Sequence, residues 1–243
     1  MIFMSTTFIT NSKVKNKVIL INPGLVKQLV VAKAGDNERY KIKVKPAANF
    51  TFVITSLPPH FELRASVERD ASLTVILALK VKSAVNFLSH IKLIGPGAKV
   101  TEQLALVSDN KSETKLDTTL EHLAPNTMGR IMCRRVLADG SIGDFTGLLK
   151  VGLAADNTDT YLSDKVLLLG DKSSGTSVPN LEILTNNVKA SHGTAIGKLS
   201  PDELFYLQSR GIKRTQAEKL LRQAFLQPAL TGLAADVRDS FGR

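Results

Sequence analysis

PNLEILTNNVKASHGTAIGKLSPDELFYLQSRGI, residues 179–212, places a strand-like segment, a loop bearing a lone histidine and a well-capped helix in direct succession. The stretch ties a β scaffold to a helical piece. Ser200-Pro201-Asp202-Glu203 supplies an N-cap, a proline at the first helical position and a glutamate that closes a capping box, and Gly211 stands where the helix should stop. A second helix is expected at once. Thr215-Gln216-Ala217-Glu218 repeats the box, and Ala217, Leu220, Leu221, Ala224 and Phe225 form an apolar stripe that Pro228 ends. The tail ALTGLAADVRDSFGR has room for one more short helix.

Upstream, from about residue 17 to 188, short apolar runs alternate with turn residues. KVILI (17–21), QLVVAK (28–33), FTFVI (50–54), LTVILALKV (73–81), HIKLI (90–94), GRIMCRRVL (129–137), TGLLKV (146–151) and KVLLLG (165–170) are the clearest. Asn22-Pro23-Gly24, Pro58-Pro59, Gly95-Pro96-Gly97, Asp139-Gly140 and Asp171-Lys172-Ser173-Ser174-Gly175 punctuate them. Helical periods between the runs are missing, which argues against βαβ units. Two all-β solutions fit this pattern, a sandwich or a β-helix whose coils stack, and no fixed repeat length decides between them.

The 243 residues, 43% of them hydrophobic, can bury a substantial core. With no tryptophan and 5% aromatics, that core must rest mainly on Val, Ile, Leu and Ala, which suit layered strands. A single cysteine, Cys133, excludes an internal disulfide and a multi-cysteine zinc site, and fits a reducing cytosol. No secretory signal and no bilayer-spanning run is visible, so a cytoplasmic protein without membrane contact is expected. The net charge of +10 is concentrated at one end, where residues 1–50 hold nine Lys/Arg against Asp36 and Glu38. Within KIKVKP (41–46), lysines alternate with Ile42 and Val44, which reads as a solvated edge strand guarded by lysines rather than as a nucleic-acid surface.

Chemistry-bearing motifs are sparse. His60, His90, His122 and His192 lie outside chelating spacing of one another and of Cys133, and no phosphate-binding loop is present. Ser191 and His192 would point to opposite faces of an extended chain, which excludes a serine nucleophile activated there. A carbohydrate-active β-helix enzyme would need clustered carboxylates. The only dense set, Asp156, Asp159 and Asp164, reads as a turn. His192 follows a strand and precedes Gly193, and its imidazole suits borderline-soft iron.

Several ordered segments resemble the SufB/SufD family of iron–sulfur cluster assembly scaffolds. They are LEHLAPNT (120–127), FTGLLKV (145–151), NTDTYLSDKVLLLGDKSSGTSVPNLEI (157–183), VKASHGTAIGKL (188–199) and ELFYLQSRGI (203–212), with GAKVTEQLALVSDN (97–110) more diffusely similar. The resemblance is to the SufD side. It implies a mainly β fold, a right-handed parallel β-helix over residues 1–195 followed by a small C-terminal α-helical ATPase-docking domain over residues 196–243. It also implies a non-catalytic scaffold that pairs with a SufB-type protomer, or with itself, and carries a SufC-type ATPase on its C-terminal helices. No cofactor is then stably bound, and iron or an iron–sulfur cluster passes through a subunit interface.

By position in the S-H-G motif, the resemblance makes His192 the candidate iron or cluster ligand. Phe205, Tyr206, Leu207 and Arg210 become the candidate ATPase-docking residues. The chain departs from the family in having Ala190 where many SufD sequences have cysteine, and Ser173 and Ser174 where SufB-type proteins offer one. Without a thiolate there, sulfur cannot be accepted at those places. The N-terminal region typical of the family is also absent, so Met1, Ile2, Phe3 and Phe8 are expected to cap the first coil. A homodimeric adaptor without cluster chemistry is the alternative from another class.

Overall fold

A computed structural model describes residues 5–10, 16–33, 37–108, 111–235, 238 and 241. The chain is a parallel β-solenoid with two short C-terminal helices. Odd strands form one sheet in the order β1 (Ser5–Thr10), β3 (Val26–Lys33), β5 (Asn49–Ile54), β7 (Ser72–Val81), β9 (Lys99–Ser108), β11 (Met128–Ala138), β13 (Thr158–Leu169) and β15 (Val188–Lys198). Even strands form the other, from β2 (Asn16–Ile21) through β4 (Glu38–Val44), β6 (His60–Val67), β8 (Val85–Leu93), β10 (Glu113–His122) and β12 (Ile142–Val151) to β14 (Ser174–Ile183). Of the two all-β layouts open to the sequence, the stacked one is therefore correct.

The stacking also explains why no repeat length could be read. Lys45 meets Glu68 23 residues on, Arg135 meets Asp164 29 residues on, and Thr127 meets Thr158 31 residues on. The coils lengthen along the chain, while one corner stays constant. Gly24, Ala47, Asp70, Gly97, Asn126 and Asn157 all have positive φ. Each lies just ahead of the register column Val26, Asn49, Ser72, Lys99, Met128 and Asp159. Glycine, asparagine and aspartate enter this left-handed region most readily, so Ala47 is the costly member of the column.

Inside, like residues stack on like. Phe61 lies in register with Phe87, Phe87 with Leu116 and Leu116 with Phe145. Ring centroids of Tyr40 and Phe61 are 5.2 Å apart, and those of Phe61 and Phe87 are 5.9 Å apart. The strand KIKVKP reads correctly in its alternation, with Ile42 and Val44 buried and Lys41 and Lys43 exposed. It is not an edge strand, because β4 pairs with β2 on one side and β6 on the other. In a solenoid every rung has one wet face, so lysine alternation marks the outer face rather than an edge. The described part of the N-terminal cap is ionic. Lys17 Nζ donates to Glu38 Oε1 and to the Tyr40 hydroxyl, both at 2.8 Å. Met1, Ile2, Phe3 and the Phe8 side chain lie outside the described residues.

The helices are α1 (Pro201–Ser209) and α2 (Arg214–Leu226), followed by a 3-10 turn at Gln227–Leu230. Ser200 caps α1 as expected, accepting the Glu203 amide at 3.3 Å. Gly211, at φ +84°, ends it, with the Gly211 and Ile212 amides donating to the Gln208 and Leu207 carbonyls. The second capping box does not form. Lys213 is the N-cap residue without a side-chain bond, Thr215 lies inside the helix, and Glu218 is held by Arg214 at 3.0 Å. The expected stripe is split: Ala217 is buried and Leu221 and Phe225 partly so, while Leu220 and Ala224 face solvent. Leu226, Ala229, Leu230 and Leu233 cover the outer face of the odd sheet, against Val53, Ile76, Ala78, Ala105, Val136 and Leu167. The tail past Leu233 is described only in part. Strand β15 runs through residue 195 to Lys198, three residues before α1 begins.

His122 and Glu102 are two of the ionisable groups buried in the core. His122 sits between the Thr127 and Thr160 hydroxyls at 2.8 and 3.1 Å, and burial pushes its pKa down to about 4. Glu102 is fully buried, and its two oxygens accept from Ser89 Oγ at 2.6 Å and Thr118 Oγ1 at 2.5 Å. Desolvation holds its pKa above the ordinary carboxylate value. Above that ordinary value the folded state keeps a proton that the unfolded chain has lost, so Glu102 lowers stability as pH rises. Replacing Glu102→Gln is expected to flatten the fall in stability as pH rises above the ordinary carboxylate range, read as urea midpoints at a series of pH values. A wild-type slope in the variant would exclude this source. At the corner column, Ala47→Gly is expected to stabilise the fold by about 0.5–1 kcal/mol, measured by the same denaturation.

Candidate functional site

The last coil has no successor. In register with the buried inner residues Phe145, Leu149 and Val151 stand Ser177, Leu181 and Ile183 of β14. In register with Thr160, Leu162, Asp164 and Val166 stand Ala190, His192, Thr194 and Ile196 of β15. The earlier residues are covered by the coil above them, and the later ones are not. Leu181, Ile183 and Ile196 are 37%, 38% and 46% exposed. Covering them would recover roughly 1 kcal/mol each. The solenoid therefore ends in a half-apolar face carrying one imidazole.

His192 was expected on a loop, and the structure places it mid-strand in β15. Gly193, which reads as a flexible position after the histidine, lies under Tyr161, whose hydroxyl would be 2.9 Å from a Cβ at that position. The glycine is there for close approach rather than for a turn. Ser191 is in register with Tyr161 and His192 with Leu162, so the two do point to opposite faces. Ala190 shares the His192 face two positions away, and the other imidazoles lie elsewhere. Among the described residues no group of three or more His, Cys, Asp or Glu side chains could hold a metal ion. His192 thus stands alone among the described residues as a candidate ligand on this face.

One coil beneath, the polar groups are satisfied internally. Arg135 Nε and Nη2 donate to the two Asp164 oxygens at 3.1 and 2.5 Å, and both residues are fully buried. Nη1 reaches the Gly143 carbonyl at 2.7 Å and Nη2 the Thr176 carbonyl at 3.0 Å. Arg135 thus crosses the core from the odd sheet and pins β14 to β12. Cys133 is buried beside this pair, and burial together with Asp164 pushes its thiol pKa up, which keeps it protonated and inert. The three aspartates of the sequence disperse. Asp164 is this buried partner, Asp159 pairs outward with Arg130 at 2.8 Å, and Asp156 accepts from Thr185. Only Asp156 lies in the turn, since β13 starts at Thr158.

On α1, Phe205 and Tyr206 are 73% and 58% exposed, and no residue of the helix is buried. The Arg210 guanidinium lies 5.4 Å from the Tyr206 ring centre, one turn on. Leu207 is partly buried and turns away from them. The structure thus gathers Phe205, Tyr206 and Arg210 on an open helix and keeps His192 on the strand that leads into it. The exposed apolar residues of the last coil were missed from sequence. Alternation through Ala190, His192, Thr194 and Ile196 was the available signal.

A family profile described as the SUF system FeS cluster assembly, SufBD core domain, matches residues 31–225. This chain belongs to the SufBD family. It is 29% identical to the iron–sulfur cluster assembly protein SufD of Bacillus subtilis over 165 residues, which are 68% of this chain and 38% of that protein. It is also 29% identical to SufB of the same organism over 137 residues, 56% of this chain and 29% of the relative. To SufD of Escherichia coli it is 33% identical over 108 residues, 44% of this chain and 26% of the relative. The aligned stretches thus span well under half of these relatives. Among the described residues no helix is long and apolar enough to cross a membrane.

Arg135→Met leaves Asp164 buried without its cation, and a loss of about 3–5 kcal/mol is expected. Hydrogen exchange should rise first in residues 174–183, because the Thr176 carbonyl loses its donor. Uniform acceleration along the whole chain would show that Arg135 does not act on the last coil in particular.

Proposed function

We propose that this chain is a SufD-like scaffold subunit of the SUF iron–sulfur cluster assembly system. It works without catalytic chemistry of its own. The observation that carries the reading is the open last coil, where His192 stands among exposed Leu181, Ile183 and Ile196 on a member of the SufBD family. An unfinished β-solenoid end requires a cover, and a SufB-type protomer, or a second copy of this chain, would supply it. Iron or a nascent cluster is the cargo, held for a time between His192 and ligands from the partner, and nothing is stably bound. Residues 1–195 would act as the pairing body and residues 196–243 as the segment that docks a SufC-type ATPase, with Phe205, Tyr206, Leu207 and Arg210 at the contact. A cytoplasmic location follows from this role, and neither nucleic acid nor membrane takes part.

A second reading has one observation in its favour. Ala190 and buried Cys133 leave the face without a reactive thiolate, as in a homodimeric adaptor that keeps the ATPase and has lost cluster chemistry. His192→Ala separates the two in a reconstituted complex with the SufB-type and SufC-type proteins of the same host. Under the first reading the variant pairs normally by light scattering, while cluster build-up, followed by visible absorbance, falls at least tenfold. Cluster assembly equal to wild type would remove His192 from the chemistry and favour the adaptor.

A further inference from the structure

A groove of about 640 Å³ runs between the solenoid and the two helices. Its floor is the end of β13 at Leu168 and Leu169, and its walls include Leu204 and Phe205 of α1 and Arg214, Glu218 and Arg222 of α2. The last three lie four residues apart, on one stripe of α2. Arg214 and Glu218 form an ion pair at 3.0 Å. Lys198 and Asp171, which also line the groove, pair at 2.6 Å. Asp139 accepts the Lys172 amide at 3.0 Å. Arg222 is left over. Its Nε is fully buried, and among the described residues it has no acceptor and no carboxylate lies within ion-pair distance of the guanidinium.

Glu218 stands one turn before Arg222, in the favourable order for a helical ion pair, yet it is turned to Arg214. A buried donor with no acceptor is costly to keep, and an arginine holds its charge at any working pH. Next to it, Phe205 projects into solvent above an apolar floor. The groove therefore offers one unmatched cation beside an apolar surface, and it is complementary to a carboxylate carried next to an apolar side chain.

We infer that the groove between α1, α2 and the end of β13 is the seat of an acidic side chain from the partner protein docked on α1, with Arg222 as its counter-charge. The inference rests on the reading of α1 as the docking helix and specifies what the partner must present. Among the three cations that line the groove, Lys198, Arg214 and Arg222, only Arg222 lacks an ion partner among the described residues, so its contribution should exceed that of Arg214, whose charge is already matched.

The test is titration calorimetry of the full chain with the SufC-type ATPase of the same host, using wild type, Arg222→Met, Arg222→Lys, Arg214→Met and Phe205→Ala, each checked for an unchanged melting temperature. Arg222→Met should weaken binding about tenfold or more and lower its salt dependence, with Arg222→Lys recovering part of the affinity and Arg214→Met changing it less than threefold. If Arg222→Met binds within twofold of wild type while Phe205→Ala binds poorly, docking on α1 stands and the acidic-seat inference falls. If the wild-type chain does not bind the ATPase, both the docking reading and the inference fall.

Discussion

In a parallel solenoid the inner face of each coil is buried by the coil that follows, so every interior contact is shared and the two ends are left over. The chain meets that constraint differently at its two ends. At the start, Lys17 of β2 reaches Glu38 and the Tyr40 hydroxyl over the first aromatic rings, and its ammonium lies 4.7 Å from the Tyr40 ring centre. A charge at the mouth of the stack discourages another strand from continuing the core. At the far end no such plug is present among the described residues, and Leu181, Ile183 and Ile196 stay partly wet. Arg135 holds β14 in place from beneath, so that the face is presented rather than frayed.

The C-terminal segment divides its work in a similar way. The end of α2 and the turn after it bury Leu226, Ala229 and Leu230 on the outer face of the odd sheet, which fixes the segment to the solenoid. That sheet is therefore covered on both faces in its middle, and β7 reads as a nearly unbroken apolar run, SLTVILALKV. Helix α1 contributes no buried residue to this packing. It is held by the strand before it, by the helix after it and by its caps, which leaves Phe205 and Tyr206 free.

Much of this was legible in the chain, and the failures share a cause. Short strands, the corner turns at Gly24, Gly97 and Gly140, the α1 cap and the glycine stop were all readable from local chemistry. What went astray depended on the neighbouring coil. The lysines of β4 looked like an edge because a sequence does not show that β2 and β6 flank it. Gly193 looked like a flexible loop position because Tyr161 lies 32 positions earlier and one coil away. Asp159 and Asp164 looked like a turn because their partners Arg130 and Arg135 sit on β11. Growth of the coils from 23 to 31 residues hid the repeat, and with it the register that would have placed these pairs. The candidate ligand His192 was nominated by type and family pattern, whereas the apolar face around it required the strand order.

The same geometry bears on how chemistry at the open end would be divided. A single imidazole supplies one ligand, and iron in a cluster takes ligands from several side chains, so this face is insufficient by itself. Ala190 and Thr194 occupy the two neighbouring positions on the same strand face, and neither offers a thiolate or an imidazole. Cys133 is two coils below, buried and protonated beside the Arg135–Asp164 pair that secures β14. The last coil that exposes His192 thus rests on a core that keeps the chain's single thiol out of reach. On the proposed reading, a cluster ligated here draws its thiolates from across the interface, and pairing precedes chemistry.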